Sequence, residues 1–131
     1  MTRDQLEAHR LLQARLNEAR TAYQELEERA YPGAQRLDGM PRSTGNHDKV
    51  GELGIELAAT WLKIDELERA VKESRPPIDE YIDTLTDPIT RLVVGLRVVC
   101  ALSWKEVAIY AGRDQTVESV KFRYRKAILK L

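Results

Sequence analysis

The sequence predicts an all-α protein: a long, coiled-coil-like antiparallel helical hairpin, then a C-terminal unit of three shorter helices. Three observations carry that expectation. Apolar residues recur at alternating steps of three and four over two long stretches near the N-terminus. Helix-capping residues stand ahead of several periodic segments. A single Phe and seven Gly oppose an all-β sandwich with its many turns. The length of 131 residues suits one domain, or one small domain with an appendage.

The first helix is expected over residues 2–30, where His9, Leu12, Leu16, Ala19, Tyr23, Leu26 and Ala30 follow the 3-4 step of a helix seam. Thr2 can cap it, with Gln5 three residues on as its capping-box partner. It stops at the sequence YPG, because Pro32 disfavours helical geometry in the residue before it. Residues 31–47 then read as a loop rich in Gly, Pro, Ser and Asn. Ser43 or Asp48 begins the second helix, which is expected to end near Arg75, ahead of Pro76 and Pro77. Its seam is Val50, Leu53, Leu57, Thr60, Ile64, Leu67 and Val71. At about 28 residues each, the two helices would be roughly 42 Å long. A second apolar stripe, Ile55, Ala59 and Leu62 with Trp61 beside it, is not used by that pairing. It would pack on the C-terminal unit or on a second subunit.

The hairpin is therefore assigned to residues 1–75, a linker or short helix to 76–86, and the three-helix unit to 87–131. Asp87 caps the first of the three, with Pro88 at the first helical position, where its missing N–H costs nothing. Ile89, Leu92, Val93, Leu96, Val99 and Cys100 mark its inner face, which makes the one cysteine a buried thiol of a reducing compartment. Ser103 and Glu106 form a capping box for a helix of about eight residues with Trp104, Val107, Ala108 and Ala111 inward. Gly112 ends it in left-handed geometry. The last helix places Val117, Val120, Tyr124, Ala127, Ile128 and Leu131 inward.

Charge separates the two parts. Residues 88–131 hold nine Lys/Arg against three Asp/Glu, a net +6, and residues 1–87 carry the balancing −6. A basic segment behind a short helix and a glycine-bearing turn is the arithmetic of a helix-turn-helix. Its last helix would enter the major groove of double-stranded DNA. Gln115, Thr116, Ser119 and Phe122 face base edges there, while Arg113, Lys121, Arg123, Arg125, Lys126 and Lys130 reach phosphates. For Phe122 the competing reading is a core residue docked on the hairpin. The acidic hairpin would not touch bases.

Enzyme chemistry has no foothold: there is no nucleophile–base pair, no paired carboxylates in an apolar setting and no phosphate-cradling loop. No cofactor and no metal site is expected, since His9 lies on a seam and His47 in the loop. The first ten residues lack the apolar core of a signal peptide, and no stretch approaches the roughly 20 apolar residues of a membrane span, so the expected location is cytoplasmic, without a membrane partner.

The segments LSWKEVAIYAG and VKFRYRKAILKL resemble region 4 of bacterial sigma-70-type factors, the part that reads the −35 promoter element. Val120, Tyr124, Ala127, Ile128 and Leu131 fall where that family keeps its inner-face residues. The layout also resembles small phage proteins of the ArpU/RinA type, which are late transcriptional regulators. The specific similarity covers residues 87–131 and is architectural over 1–86. Between Gly112 and Val120 this sequence has about two residues more than the sigma pattern, so the last helix starts early, capped by Asp114, or late, capped by Thr116. The other sigma regions have no counterpart in these residues, so the chain would not melt a promoter by itself. The resemblance implies a phage or prophage regulator of transcription that acts as a homodimer or beside RNA polymerase. The alternative is an oligomeric DNA-packaging protein, like a small terminase subunit, in which the hairpin drives assembly.

Overall fold

The computed structural model describes residues 1–31 and 47–131, with side chains from residue 51 onward in the second part, and every regular element among them is helical. Helix α1 spans Arg3–Ala30 and α2 spans His47–Asp83. Helix α3 covers Pro88–Val94 and runs directly into a π-helical segment, Gly95–Val99. Helices α4 (Trp104–Ala111) and α5 (Val117–Ile128) complete the chain. The expected loop lies outside the described residues except at its ends. His47 begins α2 as described, so Asp48 sits inside that helix, and Ser43, the other expected start, lies outside the described residues.

Helix α1 begins as its sequence dictates. The Gln5 N–H donates to Thr2 Oγ1 (3.2 Å) while the Thr2 N–H donates to Gln5 Oε1 (2.9 Å), satisfying two amides that the first turn leaves free. Leu16, Ala19 and Leu26 of the predicted seam are buried, and Leu57 of α2 is buried with them. The pairing sets the helix directions. His9 meets Ser74 and Arg20 meets Glu68, so α2 partners descend in number as α1 ascends.

Helix α2 does not stop at Arg75. It continues through Pro76 and Pro77 to Asp83, so most of the segment expected as a linker or separate short helix is the last two turns of a 37-residue helix. Each proline removes an amide donor, leaving the Lys72 and Glu73 carbonyls without their usual partners, at a cost of about 3 kcal/mol or more per interior proline. Burial beyond the prolines opposes that cost. Ile78 is 1% and Tyr81 8% exposed, the Tyr81 hydroxyl donates to the Ala127 carbonyl (3.2 Å), and Arg75 bridges the prolines to Asp79 (2.7 Å).

Helices α3, α4 and α5 pack on one another around Val93, Val94, Val98, Val107 and Val120, each fully buried. Leu6 of α1 and Ile78 and Tyr81 of α2 belong to the same cluster. The core therefore crosses the boundary drawn at residues 75–87. The inner face of α3 also differs from an α-periodic expectation. In the π segment the Cys100 N–H donates to the Gly95 carbonyl (3.2 Å), five residues back. Val98 goes inward, and Cys100 is exposed rather than buried. Leu92 is likewise exposed, and Val94 takes the inner position.

The turn after the π segment is held from three sides. Ala101 adopts a positive φ of 54°, which costs an L-residue about 1–2 kcal/mol. Asn17 of α1 donates to the Cys100 carbonyl (3.2 Å), and Arg97 donates to the Leu102 carbonyl (2.8 Å). The Arg97 guanidinium also lies 4.3 Å from the centre of the Trp104 ring, and Trp104 meets Tyr124 edge-on at 5.2 Å.

His9 is completely buried between α1 and α2, its Nδ1 2.6 Å from Ser74 Oγ. The Ser74 hydroxyl also lies 3.2 Å from the Val71 carbonyl. Nε2 is buried without a partner among the described residues. Burial, then the nearby Arg75 guanidinium, hold the imidazole pKa below its ordinary value, against the opposing pull of Asp79.

Leu6→Ala should cost about 2–5 kcal/mol, the range for a buried leucine. Circular dichroism and tryptophan fluorescence should then report one coincident urea transition, shifted as a whole; separate transitions would mean that the hairpin and the C-terminal helices do not share a core. For His9, the unfolded ring takes up a proton below about pH 6.5 while the folded ring stays neutral. Stability is thus full above that pH and falls on acidification towards the folded pKa, by at most about 1.4 kcal/mol per pH unit. Urea unfolding at several pH values should show a shallower acid loss in His9→Leu than in the parent.

Candidate nucleic-acid interface

The surface that collects the candidate residues is the outer side of α5. Its inner side is fixed by Val120, Tyr124 and Ala127, all buried. A helix with those three inward must turn Glu118, Phe122, Arg125, Lys126, Leu129 and Lys130 outward, and all six are exposed. Lys121 and Arg123 lie half-buried on opposite flanks.

The start of α5 is settled in favour of Thr116. The Ser119 N–H donates to Thr116 Oγ1 (3.1 Å), and the Thr116 N–H donates to Ser119 Oγ (2.9 Å). Asp114 therefore lies in the turn. The connection from α4 to α5, Gly112–Thr116, is five residues, longer than the three or four of a typical helix-turn-helix. Gly112 enters it at φ +132°, where an added Cβ would meet open space but a strained backbone. The Gln115 N–H donates back to the Gly112 carbonyl (3.1 Å).

This geometry sorts the candidates. Thr116 and Ser119 have their hydroxyls engaged in the cap, and the Ser119 oxygen lies 3.0 Å from Gln115 Oε1. A base contact by any of the three has to draw on groups that now hold the helix start. Phe122 is 65% exposed, which overturns its reading as a core residue. Arg123 pairs with Asp87, the cap of α3, at 2.9 Å. The Thr90 hydroxyl first, then its amide and the Arg123 guanidinium, hold the Asp87 carboxyl below the usual carboxylate range. Arg113, Lys121, Arg125, Lys126 and Lys130 have no ion-pair partner among the described residues.

A groove of about 750 Å³ runs beside α5, between its Phe122, Lys126 and Lys130 side and the turn at Thr84–Asp87, with Tyr81 and Leu131 among its apolar lining. Helix α4 exposes Ile109 and Tyr110 beside the same unit, and Leu129 is 68% exposed on α5. Periodic spacing marks inward residues and therefore gives no signal for these three. Among the described residues no three His, Cys, Asp or Glu side chains are grouped to hold a metal, and no helix is long and apolar enough to cross a membrane.

No protein-family model, curated protein or solved structure matches the chain.

Because Phe122 is exposed, Phe122→Ala should change stability by no more than about 0.5 kcal/mol, the range of surface substitutions. A thermal or urea melt checks this. A loss of about 3–5 kcal/mol, the usual cost of deleting a buried Phe, would instead place the ring in the core.

Proposed function

We propose that the protein is a non-enzymatic, sequence-specific DNA-binding regulator of transcription, of phage or prophage origin, with α5 lying in the major groove of double-stranded DNA. The observation that carries this reading is the outer face of α5. Exposed Arg125, Lys126 and Lys130 line a helix whose opposite side is buried, and no acidic group neutralises them among the described residues. The rest of the chain is acidic, so phosphate attraction is confined to this end.

On this reading Arg113, Lys121, Arg125, Lys126 and Lys130 contact phosphates, and Arg123 joins them on leaving Asp87. Phe122, central and exposed, is placed for a thymine methyl, and Gln115 and Thr116 lie at the helix start, where base edges are read. The helix-turn-helix resemblance to sigma region 4 and to ArpU/RinA-type regulators supports the same docking. RNA polymerase is then a natural second partner, and the long α1–α2 pair, being acidic, stays off the DNA.

A second reading, an oligomeric DNA-packaging subunit, is favoured by one observation: the exposed apolar stripe of α2 with Ile55, Trp61 and Leu62. Oligomeric mass separates the two, because a regulator of this kind works as a monomer or dimer and a packaging subunit as a ring.

Mobility-shift titrations against a library of genomic fragments test the proposal. A subset should compete well above random DNA, with a log–log salt slope of roughly −4 to −5 from about four to six phosphate contacts. Lys126→Ala should lower the slope by about one and weaken all fragments alike, whereas Phe122→Ala should relax preference at one base pair by about 1–3 kcal/mol. If no fragment outcompetes random DNA, sequence-specific regulation is excluded.

A further inference from the structure

The outer face of α2 between Gly51 and Lys63 meets no other described helix. Ile55 is 74%, Trp61 54% and Leu62 62% exposed, and neither α1 nor the C-terminal helices cover them. Gly51, Ile55, Ala58 and Leu62 are spaced 4-3-4, a second helix seam opposite the one that meets α1, with Gly54 and Trp61 together along one flank. All six residues are exposed and uncharged. Gly51 and Gly54 are also poor helix formers in the interior of a helix, and a Cβ at either would touch nothing. Packing among the described residues therefore gives no reason for glycine at these two places.

The order of sizes along the stripe supplies one. Its N-terminal half is small (Gly51, Gly54), its C-terminal half is bulky (Trp61, Leu62), and Ala58 lies between them. We propose that this face docks on the same face of a second copy, with the two α2 helices antiparallel and crossing at Ala58. A two-fold axis there lays Trp61 of each copy over Gly54 of the other. Leu62 enters the space left by Gly51 and Gly54, and Lys63 comes level with Glu52 of the other copy on the opposite flank. Bulk meets hollow and cation meets anion twice over, as a self-complementary contact requires. A parallel, in-register pairing would instead set Leu62 on Leu62 and Gly51 on Gly51, so that bulk meets bulk and hollow meets hollow. The contact spans about three helical turns, small against the roughly 800 Å² per partner of a standard interface, so the expected dissociation constant is micromolar. The arrangement needs no DNA and stands apart from the DNA reading. Being two-fold, it closes at the dimer and builds no ring.

Sedimentation equilibrium of the full chain, without DNA, is the test. A monomer–dimer equilibrium is expected. Gly54→Leu should raise the dissociation constant at least tenfold although it adds apolar surface, because it fills the hollow that receives Trp61; it sits in open space in the monomer, so folding is unaffected. Leu62→Lys should do the same by removing an anchor. In a Cys100→Ser background, Ala58→Cys should give a disulfide-linked dimer on mild oxidation. Ile55→Cys should not, since its two copies would lie about 9 Å apart along the helices. A chain that stays monomeric at high micromolar concentration overturns the proposal, as do species larger than a dimer. Unchanged or tighter association in Gly54→Leu, or equal cross-linking at positions 55 and 58, overturns the antiparallel register.

Discussion

The architecture depends on one shared core. The three C-terminal helices are short, the longest of them 12 residues, and helices of that length are marginal unless an apolar face is buried. Leu6 from the start of α1 and Ile78 and Tyr81 from the end of α2 complete that burial. The same contact explains why α2 survives two consecutive prolines. Its last turns, beyond the prolines, are anchored by Ile78 and by the bond from Tyr81 to the last turn of α5. The long helices are thus one wall of the unit that carries the basic face.

Local chemistry made most of the elements legible. Thr2 with Gln5, Asp87 with Pro88, and Ser103 with Glu106 are signals of neighbouring residues, and each marks a helix start in the structure. The 3-4 seam of α1 was legible because its buried side repeats without interruption. What could not be read locally was set by distant partners. A proline pair normally ends a helix, and only Ile78 and Tyr81, buried against residues far along the chain, reverse that expectation. The inner face of α3 runs through Val94 and Val98 rather than Leu92 and Cys100, and the helix leaves through a wider turn at Gly95–Val99. Periodicity assumes one residue angle throughout and has no means of registering such a step.

The basic face was legible for a simpler reason. Cations at the end of the sequence have to go outward once Val120, Tyr124 and Ala127 go inward. How the polar groups are spent was not legible. Ser119 reads as a free hydroxyl in sequence, yet it returns to its own helix start. Arg123 reads as one cation among six, yet it reaches Asp87, 36 residues earlier. The two roles are linked, since Asp87 caps α3 and fastens α5 to it.

The junction of α1 with the C-terminal helices also bears on the order in which the protein can form during synthesis. Arg3 donates to the Ile128 carbonyl (3.0 Å), a contact across 125 positions of sequence, and Leu6 lies in the same cluster as Ala127. The ribosome therefore releases one half of this contact long before the other exists. Until Val120, Tyr124 and Ala127 emerge, Leu6 has only part of its final cluster to pack against. Closure of the core is a late event with a long loop to close, and the start of α1 stays incompletely packed until α5 has been made.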